Sequence, residues 1–220
     1  MAGPKVLEHI VDTILYLEGD SQHLFRILRT SKNRFGAVSE VGIFEMEESG
    51  IKEVKNPSEI FLKQRLSSAS GSCVTVVMEG YRPLLFEIQA LTVPTNFGYP
   101  RRTSSGFSNT RLQVLIAILE KRAGLNLSNH DVYVNVAGGF KVSEYAVDLA
   151  VCLAIASSLK DKPLKEGVAA FGECGLNGEI RKVSHQEKRS GEAKKLGYGE
   201  VVSSDNTKNI FEAIKKSLAE

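Results

Sequence analysis

Residues 132–159 form the stretch that most constrains the fold of this chain. Val132, Val134 and Val136 alternate with polar or aromatic residues, and this period of two predicts a strand with one buried face. Two glycines then permit a tight loop. From residue 146 to residue 155 the chain is apolar on nearly every side, so we expect a helix buried at the centre of a domain.

Ser143 and Glu144 lie between this loop and the helix. Ser143 is predicted to cap the helix by accepting a hydrogen bond from its first free amides, while Glu144 favours the positive end of the helix dipole. Asp148 is a favourable acid for the first turn. A strand, a glycine loop and a buried helix start are a common setting for a catalytic group, so the first functional question is whether one is present.

The flanking patterns predict an α/β fold. The early part of the chain is typical of a helix at 4–11 and strands at 13–17, 24–29, 41–46 and 51–54, with a turn at 18–21. A domain boundary is expected near residue 60, because Asn56, Pro57 and Ser58 interrupt these patterns. Beyond it we predict strands at 72–78, 84–93, 168–173, 180–183 and 200–203, and helices at 109–123, at 186–196 and from about residue 210. This order indicates an α/β sandwich.

The strands at 72–78 and 84–93 form a strong hairpin pattern. Alternate residues from Leu84 to Ala90 should line one face, while Glu87 and Gln89 point the other way. Residues 94–107 are predicted to form a loop. The first 60 or so residues cannot bury much area alone, so we interpret them as the edge of a larger domain.

Composition excludes several classes of protein. The net charge of +2 is too small to indicate nucleic-acid binding, so any such site must be a local basic cluster. No apolar run is long enough to span a bilayer, and no N-terminal stretch is typical of a signal peptide. Cys73, Cys152 and Cys174 lie in apolar patterns without metal-site spacing, so we expect reduced core thiols and no metal site. A cytoplasmic protein fits these features.

Several motifs resemble the RadA (Sms) family of bacterial recombination and repair proteins. They are GPKVLEH at 3–9, LEGD at 17–20, KNRFG at 32–36, PRR at 100–102, LEKRAG at 119–124, DLAV at 148–151 and GEIR at 178–181. KNRFG is a signature of that family, and the resemblance covers essentially the whole chain after Ala2. It implies the edge of a RecA-like ATPase sheet in residues 1–60, followed in residues 61–220 by a Lon-protease-like domain of the ribosomal-protein-like superfamily.

The resemblance also implies parts that this sequence lacks. Family members carry a four-cysteine zinc module and a phosphate-binding loop upstream of the matched region, whereas this sequence has no Cys-x-x-Cys pair and no Gly-x-x-x-x-Gly-Lys-Ser/Thr loop. We therefore expect ATP and Mg²⁺ in the intact parent protein and no cofactor for this chain alone. The sequence is interpreted as a C-terminal part of such a parent.

A Lon-like fold raises the question of a Ser-Lys peptidase. Aligning DLAV with the corresponding Lon helix puts Ala146 at the nucleophile position, and continuing the register puts Arg189 at the lysine position. A methyl group cannot attack a carbonyl, and arginine stays protonated and cannot act as the general base. The domain is therefore expected to be proteolytically inactive.

The alternative is a displaced dyad of Ser143 and Lys188. A shift along a helix moves a side chain to another face, so we prefer a capping role for Ser143 and a solvated position for Lys188.

Arg101 and Arg102 are the leading candidates for DNA contact. They lie in the predicted loop and precede three hydroxyl residues, and arginines beside hydroxyls suit phosphate oxygens. The alternative is that both are solvated loop charges. Lys5, Arg111 and Lys141 are weaker candidates, and Lys141 also fits a plain loop charge.

Lys32 and Arg34 lie two residues apart where a predicted strand enters a loop. In an extended segment they point the same way, so both cations can converge on one anion. By resemblance this loop faces the nucleotide of the neighbouring subunit in a RecA-like ring, where a cation reaching the γ-phosphate in trans promotes hydrolysis. The alternative is that they form structural ion pairs with acids such as Glu40 or Glu45.

The resemblance implies a ring-forming homo-oligomer, a hexamer in this interpretation. It would be an ATP-driven motor that acts on single-stranded and branched DNA and promotes branch migration with the RecA recombinase. The Lon-like domain would serve as a scaffold for ring assembly and DNA contact, without a membrane partner. Two other classes stay open at this point: a working Ser-Lys peptidase, and a pure oligomerisation or partner-binding module. DNA affinity that falls with salt separates the last from a DNA-binding domain.

Overall fold

The computed structural model describes residues 8–19, 25–38, 40–63, 65–66, 68–95 and 98–219. They divide into two compact units. The first comprises Met1–Pro57 and the hairpin tip Met78–Arg82, and the second comprises Ser58–Val77 and Pro83–Glu220.

The first unit is built on an antiparallel sheet of four strands in chain order. They are β1 (Thr13–Glu18), β2 (Phe25–Asn33), β3 (Val41–Glu47) and β4 (Gly50–Glu53), as the sequence patterns predict. The cross-strand neighbours Ile27 and Ile43 are buried on one face. On the other face, Leu15, Leu17 and Ile51 leave half or more of their surface exposed. This sheet therefore presents an apolar face that its own residues do not cover.

The second unit is organised around a mixed sheet. Its strands are β5 (Ser72–Glu79), β6 (Arg82–Pro94), β7 (Arg102–Ser105), β8 (His130–Val136), β9 (Val168–Ala170) and β12 (Glu200–Val202), while β10 (Glu173–Cys174) and β11 (Ile180–Arg181) form a separate hairpin. The spatial order is β12-β9-β5-β6-β8-β7. Strands β12, β9 and β5 run parallel, as do β7 and β8, whereas β6 and β8 are antiparallel. The expected α/β class is confirmed.

Helices complete this unit: α1 (Pro57–Leu62), α2 (Asn109–Ala123), α3 (Asp148–Lys160), α4 (Gln186–Lys195) and α5 (Ile210–Ser217). Helix α2 has the predicted bounds, because the Ser108 side chain accepts a hydrogen bond from the Arg111 N–H and Gly124 ends the helix with a φ of 68°. Helix α3 is buried from Asp148 to Ser157, as its all-round apolar sequence predicts.

One core cluster joins Val74 and Val76 of β5 to Leu85 of β6, Ala169 of β9 and Phe171. All five are completely buried. The strand β6 is covered on both faces from Leu84 to Ile88, so Glu87, predicted to face away from Leu84 and Phe86, is only 5% exposed. Its carboxylate accepts hydrogen bonds from Ser72 Oγ at 2.5 Å and from Gln89 Nε2 at 3.0 Å, which offsets the cost of burying it.

Two loop predictions need correction. Residues 94–107 are not all loop, because β7 pairs in parallel with β8 from Arg102 to Ser105. Ser143 does not cap α3, because a 3₁₀ turn at Tyr145–Val147 moves the helix start downstream to Asp148. The N-cap residue is instead Val147, which supplies no side-chain hydrogen bond.

The first half of the N-terminal helix predicted at 4–11 lies outside the described residues, and residues 8–10 form a turn. The predicted turn at 18–21 also lies partly outside them.

Candidate nucleic-acid interface

Ala146 and Arg189, the two positions aligned with a peptidase dyad, are both buried. Ala146 is 2% exposed and its carbonyl accepts a hydrogen bond from the Gly172 N–H at 2.7 Å. Arg189 is fully buried on the first half of α4. An alanine side chain offers no nucleophile, and a guanidinium offers no base.

The Arg189 guanidinium is held from three sides within the second unit. It forms a two-bond ion pair with the Glu144 carboxylate, at 2.9 and 2.7 Å. It also donates to the carbonyls of Val76 at 2.6 Å and Ser184 at 2.9 Å, and lies 5.9 Å from the centre of the Phe171 ring. A buried arginine needs a counter-charge and hydrogen-bond acceptors, and both are present. Sequence reasoning placed Glu144 at the helix dipole and missed this pairing, since 45 residues separate the two.

Ser143 and Lys188, the alternative dyad, are both exposed. Ser143 precedes Glu144 and Lys188 precedes Arg189, and the ion pair between Glu144 and Arg189 joins these two segments. The geometry therefore gives no support to a nucleophile activated by a buried lysine.

Arg111 lies on α2 with its guanidinium against Asp148, which is completely buried. Nε of Arg111 donates to Asp148 Oδ1 at 3.1 Å, Nη2 pairs with Oδ2 and also donates to the Cys174 carbonyl at 2.9 Å, and the guanidinium lies 4.7 Å from the Tyr145 ring centre. Burial raises the pKa of the Asp148 carboxyl even though the Arg111 charge opposes the shift. Asp148 is thus a buried ion-pair partner rather than a simple first-turn acid.

Arg101 and Arg102 lie at the entry to β7, and the structure gives them different surroundings. Arg101 is exposed, while its backbone N–H donates to Asp131 Oδ1 at 2.7 Å and its carbonyl accepts from the Val132 N–H at 2.9 Å. The half-buried Arg102 donates from its guanidinium to the carbonyls of Leu127, at 2.7 Å, and His130. Burial lowers the pKa of the Arg102 guanidinium. The Arg102 side chain therefore fixes the start of β7 against the backbone that precedes β8, whereas the Arg101 side chain is exposed.

Asp131 was not singled out by the sequence, yet it fixes this loop. It is 8% exposed, and the hydrogen bond from the Arg101 backbone is the main reason that the pKa of its carboxyl is lowered. Its position at the start of a strand carries no signal of that role. Of the weaker candidates, Lys141 is exposed, whereas Lys5 lies outside the described residues.

An open concave surface lies beside the same loop, with a volume of about 520 Å³. Pro94, Thr95 and Pro100 line one side, and Asn126, Asn129 and His130 contribute polar groups. Tyr99, which follows the lining residue Gly98, is 90% exposed. Sequence reasoning passed over these residues, because none belongs to a periodic pattern or a motif.

In the first unit, Lys32 and Arg34 are engaged by the segment that precedes β1. Lys32 Nζ donates to the Glu8 carbonyl at 2.6 Å, and Arg34 pairs with Asp12 at 3.0 Å rather than with Glu40 or Glu45. The Arg34 and Asp12 side chains are 61% and 49% exposed. An ion pair this open to water is worth little, so Arg34 can exchange Asp12 for another anion at small cost.

Among residues 8–19, 25–38, 40–63, 65–66, 68–95 and 98–219, no three His, Cys, Asp or Glu side chains come together in a group that could hold a metal ion. No helix within these ranges has the length and apolar character needed to cross a membrane. The sequence contains no Gly-x-x-x-x-Gly-Lys-Ser/Thr motif.

Comparison with curated proteins gives extensive similarity. The chain is 54% identical over 206 residues to the DNA repair protein RadA of Streptococcus pyogenes, an alignment that covers 94% of this chain and 46% of that protein. It is 53% identical over 207 residues to RadA of Streptococcus pneumoniae, covering 94% and 49%. With RadA of Bacillus subtilis it shares 54% identity over 202 residues, covering 92% and 44%. The chain thus spans about half the length of the curated relatives it matches.

A family model described as subunit ChlI of Mg-chelatase matches residues 102–206. The matched region begins at β7 and lies within the second unit. It includes α3 and α4, which carry Asp148 and Arg189.

Proposed function

Since this chain belongs to the RadA family of DNA repair proteins, we propose that its second unit binds single-stranded DNA through the loop that enters β7. The observation that carries the proposal is an exposed arginine, Arg101, on a backbone fixed by Asp131 and Val132. A cation held in this way reaches a phosphate without first ordering the loop, so little entropy is lost on binding.

The five basic candidates take different roles in this proposal. Arg101 and the exposed Lys141 contact phosphates, and Lys5 stays a candidate outside the described residues. Arg102 and Arg111 act mainly as positioning residues, because their guanidinium groups donate to backbone carbonyls or to Asp148. Any phosphate contact by these two would use their remaining N–H donors.

We further propose that the second unit is an inactive Lon-protease-like domain serving as a scaffold for ring assembly. The burial of Ala146 and the engagement of Arg189 by Glu144 support this assignment, because a Ser-Lys dyad needs a hydroxyl and a neutral amine at these places. The second candidate function, a working Ser-Lys peptidase, has no comparable observation in its favour.

The first unit is proposed to be the edge of a RecA-like ATPase sheet, with the domain boundary near residue 60. Its exposed apolar face at Leu15, Leu17 and Ile51 supports the idea, because such a face gains stability when another part of a domain covers it. In the longer parent protein, ATP and Mg²⁺ would bind between subunits of a homo-oligomeric ring, a hexamer in this proposal. Lys32 and Arg34 would approach the neighbour's nucleotide, Arg34 by exchanging its exposed partner Asp12 for phosphate.

The parent protein would act in the cytoplasm as a motor on single-stranded and branched DNA. Together with the RecA recombinase it would promote branch migration. The similarity to relatives named DNA repair protein RadA supports the DNA-repair part of this proposal.

Salt-dependent DNA binding tests the central claim. Affinity for a fluorescent oligo(dT) is measured by anisotropy at several salt concentrations, for the wild type and for Arg101→Ala and Lys141→Ala. Each variant should weaken binding and reduce the slope of log affinity against log salt by about 0.7, the value for one phosphate on a single strand. Lys160→Ala is the matched control, since Lys160 is an exposed lysine at the opposite end of α3 from Asp148.

Absence of salt-dependent binding by the wild type would reject DNA binding by this chain. Loss of affinity in Lys160→Ala equal to that in Arg101→Ala would reject the location.

A further inference from the structure

Among the described aromatic residues of the second unit, Tyr99 has the largest exposed fraction, followed by Phe211 at 59%. Phe61, Phe86 and Phe140 pack together with ring centres 4.6 to 5.0 Å apart. Tyr99 is 90% exposed, so its ring forgoes the stabilisation that burial of an aromatic side chain provides. A ring with this much of its surface exposed is accessible to a ligand.

The backbone around Tyr99 is held on both sides. Pro100 follows it and restricts the chain, and the Arg101 N–H donates to Asp131 Oδ1 at 2.7 Å. On the other side, the Thr95 N–H donates to the Asn129 carbonyl at 2.9 Å. The described backbone is thus anchored at Thr95 and at Arg101, on either side of Tyr99.

The charge and shape next to the ring fit a nucleotide. Arg101, two residues away, adds an exposed cation. The Asp131 carboxylate, which accepts a hydrogen bond from the Arg101 N–H, also interacts with the Arg101 charge. The concave surface of about 520 Å³ presents the side chains of Asn126 and Asn129, whose amides both donate and accept hydrogen bonds. An aromatic platform, a cation and a polar concave surface are the combination that non-sequence-specific single-strand binders use.

We propose that Tyr99 is a base-stacking residue for single-stranded DNA, with Arg101 on an adjacent phosphate and the surface at Asn126 and Asn129 receiving the neighbouring nucleotide. This inference rests on the proposed DNA binding and adds a stacking contact with a base to the ionic contacts with phosphates. Every base has a π-face, so the contact tolerates any sequence.

The test compares oligo(dT) with an abasic oligonucleotide of the same length, which keeps the phosphates and lacks the bases. Tyr99→Ala should weaken oligo(dT) binding about 5- to 150-fold, the range for loss of one stacked base, and leave the salt slope unchanged. Affinity for the abasic strand should not change. Tyr99→Phe should bind oligo(dT) like the wild type, because the ring is retained.

Phe211→Ala is the matched control, since Phe211 is another aromatic residue, 59% exposed, on α5. A second measurement uses oligo(dT) carrying 5-iodouracil, which cross-links under light to a stacked aromatic side chain. Mass spectrometry should locate the cross-link at Tyr99.

The outcomes separate the two proposals. If the wild type binds neither strand, DNA binding by this chain fails. If the wild type binds both strands with a salt slope but Tyr99→Ala equals the wild type, or weakens both strands alike, the stacking role is wrong and DNA binding stands. A change of oligomeric state in Tyr99→Ala, measured by sedimentation, would overturn the stacking role by assigning the ring to a subunit contact.

Discussion

Removal of the Glu144 carboxylate should destabilise the second unit by more than most single substitutions do. Glu144→Ala leaves the guanidinium of Arg189, a fully buried side chain, without its counter-charge, while the carbonyls of Val76 and Ser184 stay as acceptors. Breaking a buried ion pair by removing one partner costs about 3–5 kcal/mol. The Glu144 side chain is 27% exposed, so water replaces part of the lost interaction and the lower end, about 3 kcal/mol, is expected.

Thermal and urea unfolding followed by circular dichroism measure this effect. For a domain of about 150–250 residues, 1 kcal/mol shifts Tm by roughly 2–4 °C, so Glu144→Ala should lower Tm by roughly 6–12 °C. The matched control is Lys188→Ala, because Lys188 is exposed and precedes Arg189 on the same helix. Its free energy of unfolding should change by no more than about 0.5 kcal/mol.

A double-mutant cycle tests whether the two side chains interact directly. Arg189→Met removes the charge, and Glu144→Ala/Arg189→Met removes the whole pair. The double variant should be more stable than the sum of the single effects implies, by at least about 1 kcal/mol, because the second substitution no longer breaks an ion pair. Additive single effects, or a cost below about 1 kcal/mol for Glu144→Ala, would refute the reasoning.

Three further results are expected. An unfolded protein substrate should show no serine-inhibitor-sensitive cleavage, because Ala146 and Arg189 supply neither nucleophile nor base; cleavage that Ser143→Ala abolishes would contradict this. Gly71→Ala should destabilise the chain by roughly 2 kcal/mol or more in urea unfolding, since φ is +82° and a Cβ would lie 2.2 Å from the Ala90 carbonyl oxygen. Its control is Gly191→Ala, which should stabilise α4 by about 0.5–1 kcal/mol because the added Cβ meets nothing within 4 Å. The pKa of Asp131 lies below its ordinary value of 3.8, chiefly through the Arg101 backbone hydrogen bond, so the ionised carboxylate stabilises the fold above that value and this stability is lost as pH falls through the folded pKa. The Tm of Asp131→Asn should therefore fall less between about pH 6 and about pH 3 than the Tm of the wild type. An equal fall would exclude Asp131 as a cause of the acid destabilisation.

Local sequence patterns were sufficient for much of the fold. The bounds of α2 follow from a serine cap, an apolar stripe and a glycine stop, all within 17 residues of chain. The buried character of α3 follows from its apolar residues, which cover every face between Leu149 and Ala156. Both signals are local, because the capping groups and the helical period depend on neighbours along the chain.

Local patterns were not sufficient where a second covered face or a distant partner strand decided the outcome. Alternation put Glu87 on the face opposite Leu84 and Phe86, and it could not show that this face is also covered or that Ser72 and Gln89 donate to the buried carboxylate. β7 was predicted as loop because four residues carry little periodicity, and its parallel partner β8 lies about 30 residues away in sequence. Strand pairing over that distance leaves no local trace.

Sequence alone determined that Ala146 and Arg189 cannot form a working dyad, because the chemistry of a methyl group and a guanidinium does not depend on their surroundings. It also identified Arg101 and Arg102 as a basic pair. Only the tertiary structure separated the two arginines, by tying the Arg102 guanidinium to carbonyls near β8 and leaving Arg101 exposed. It likewise joined Arg189 to Glu144 and brought Tyr99 beside a concave surface, because hydrogen bonds and solvent exposure are set by segments that meet only when the chain folds.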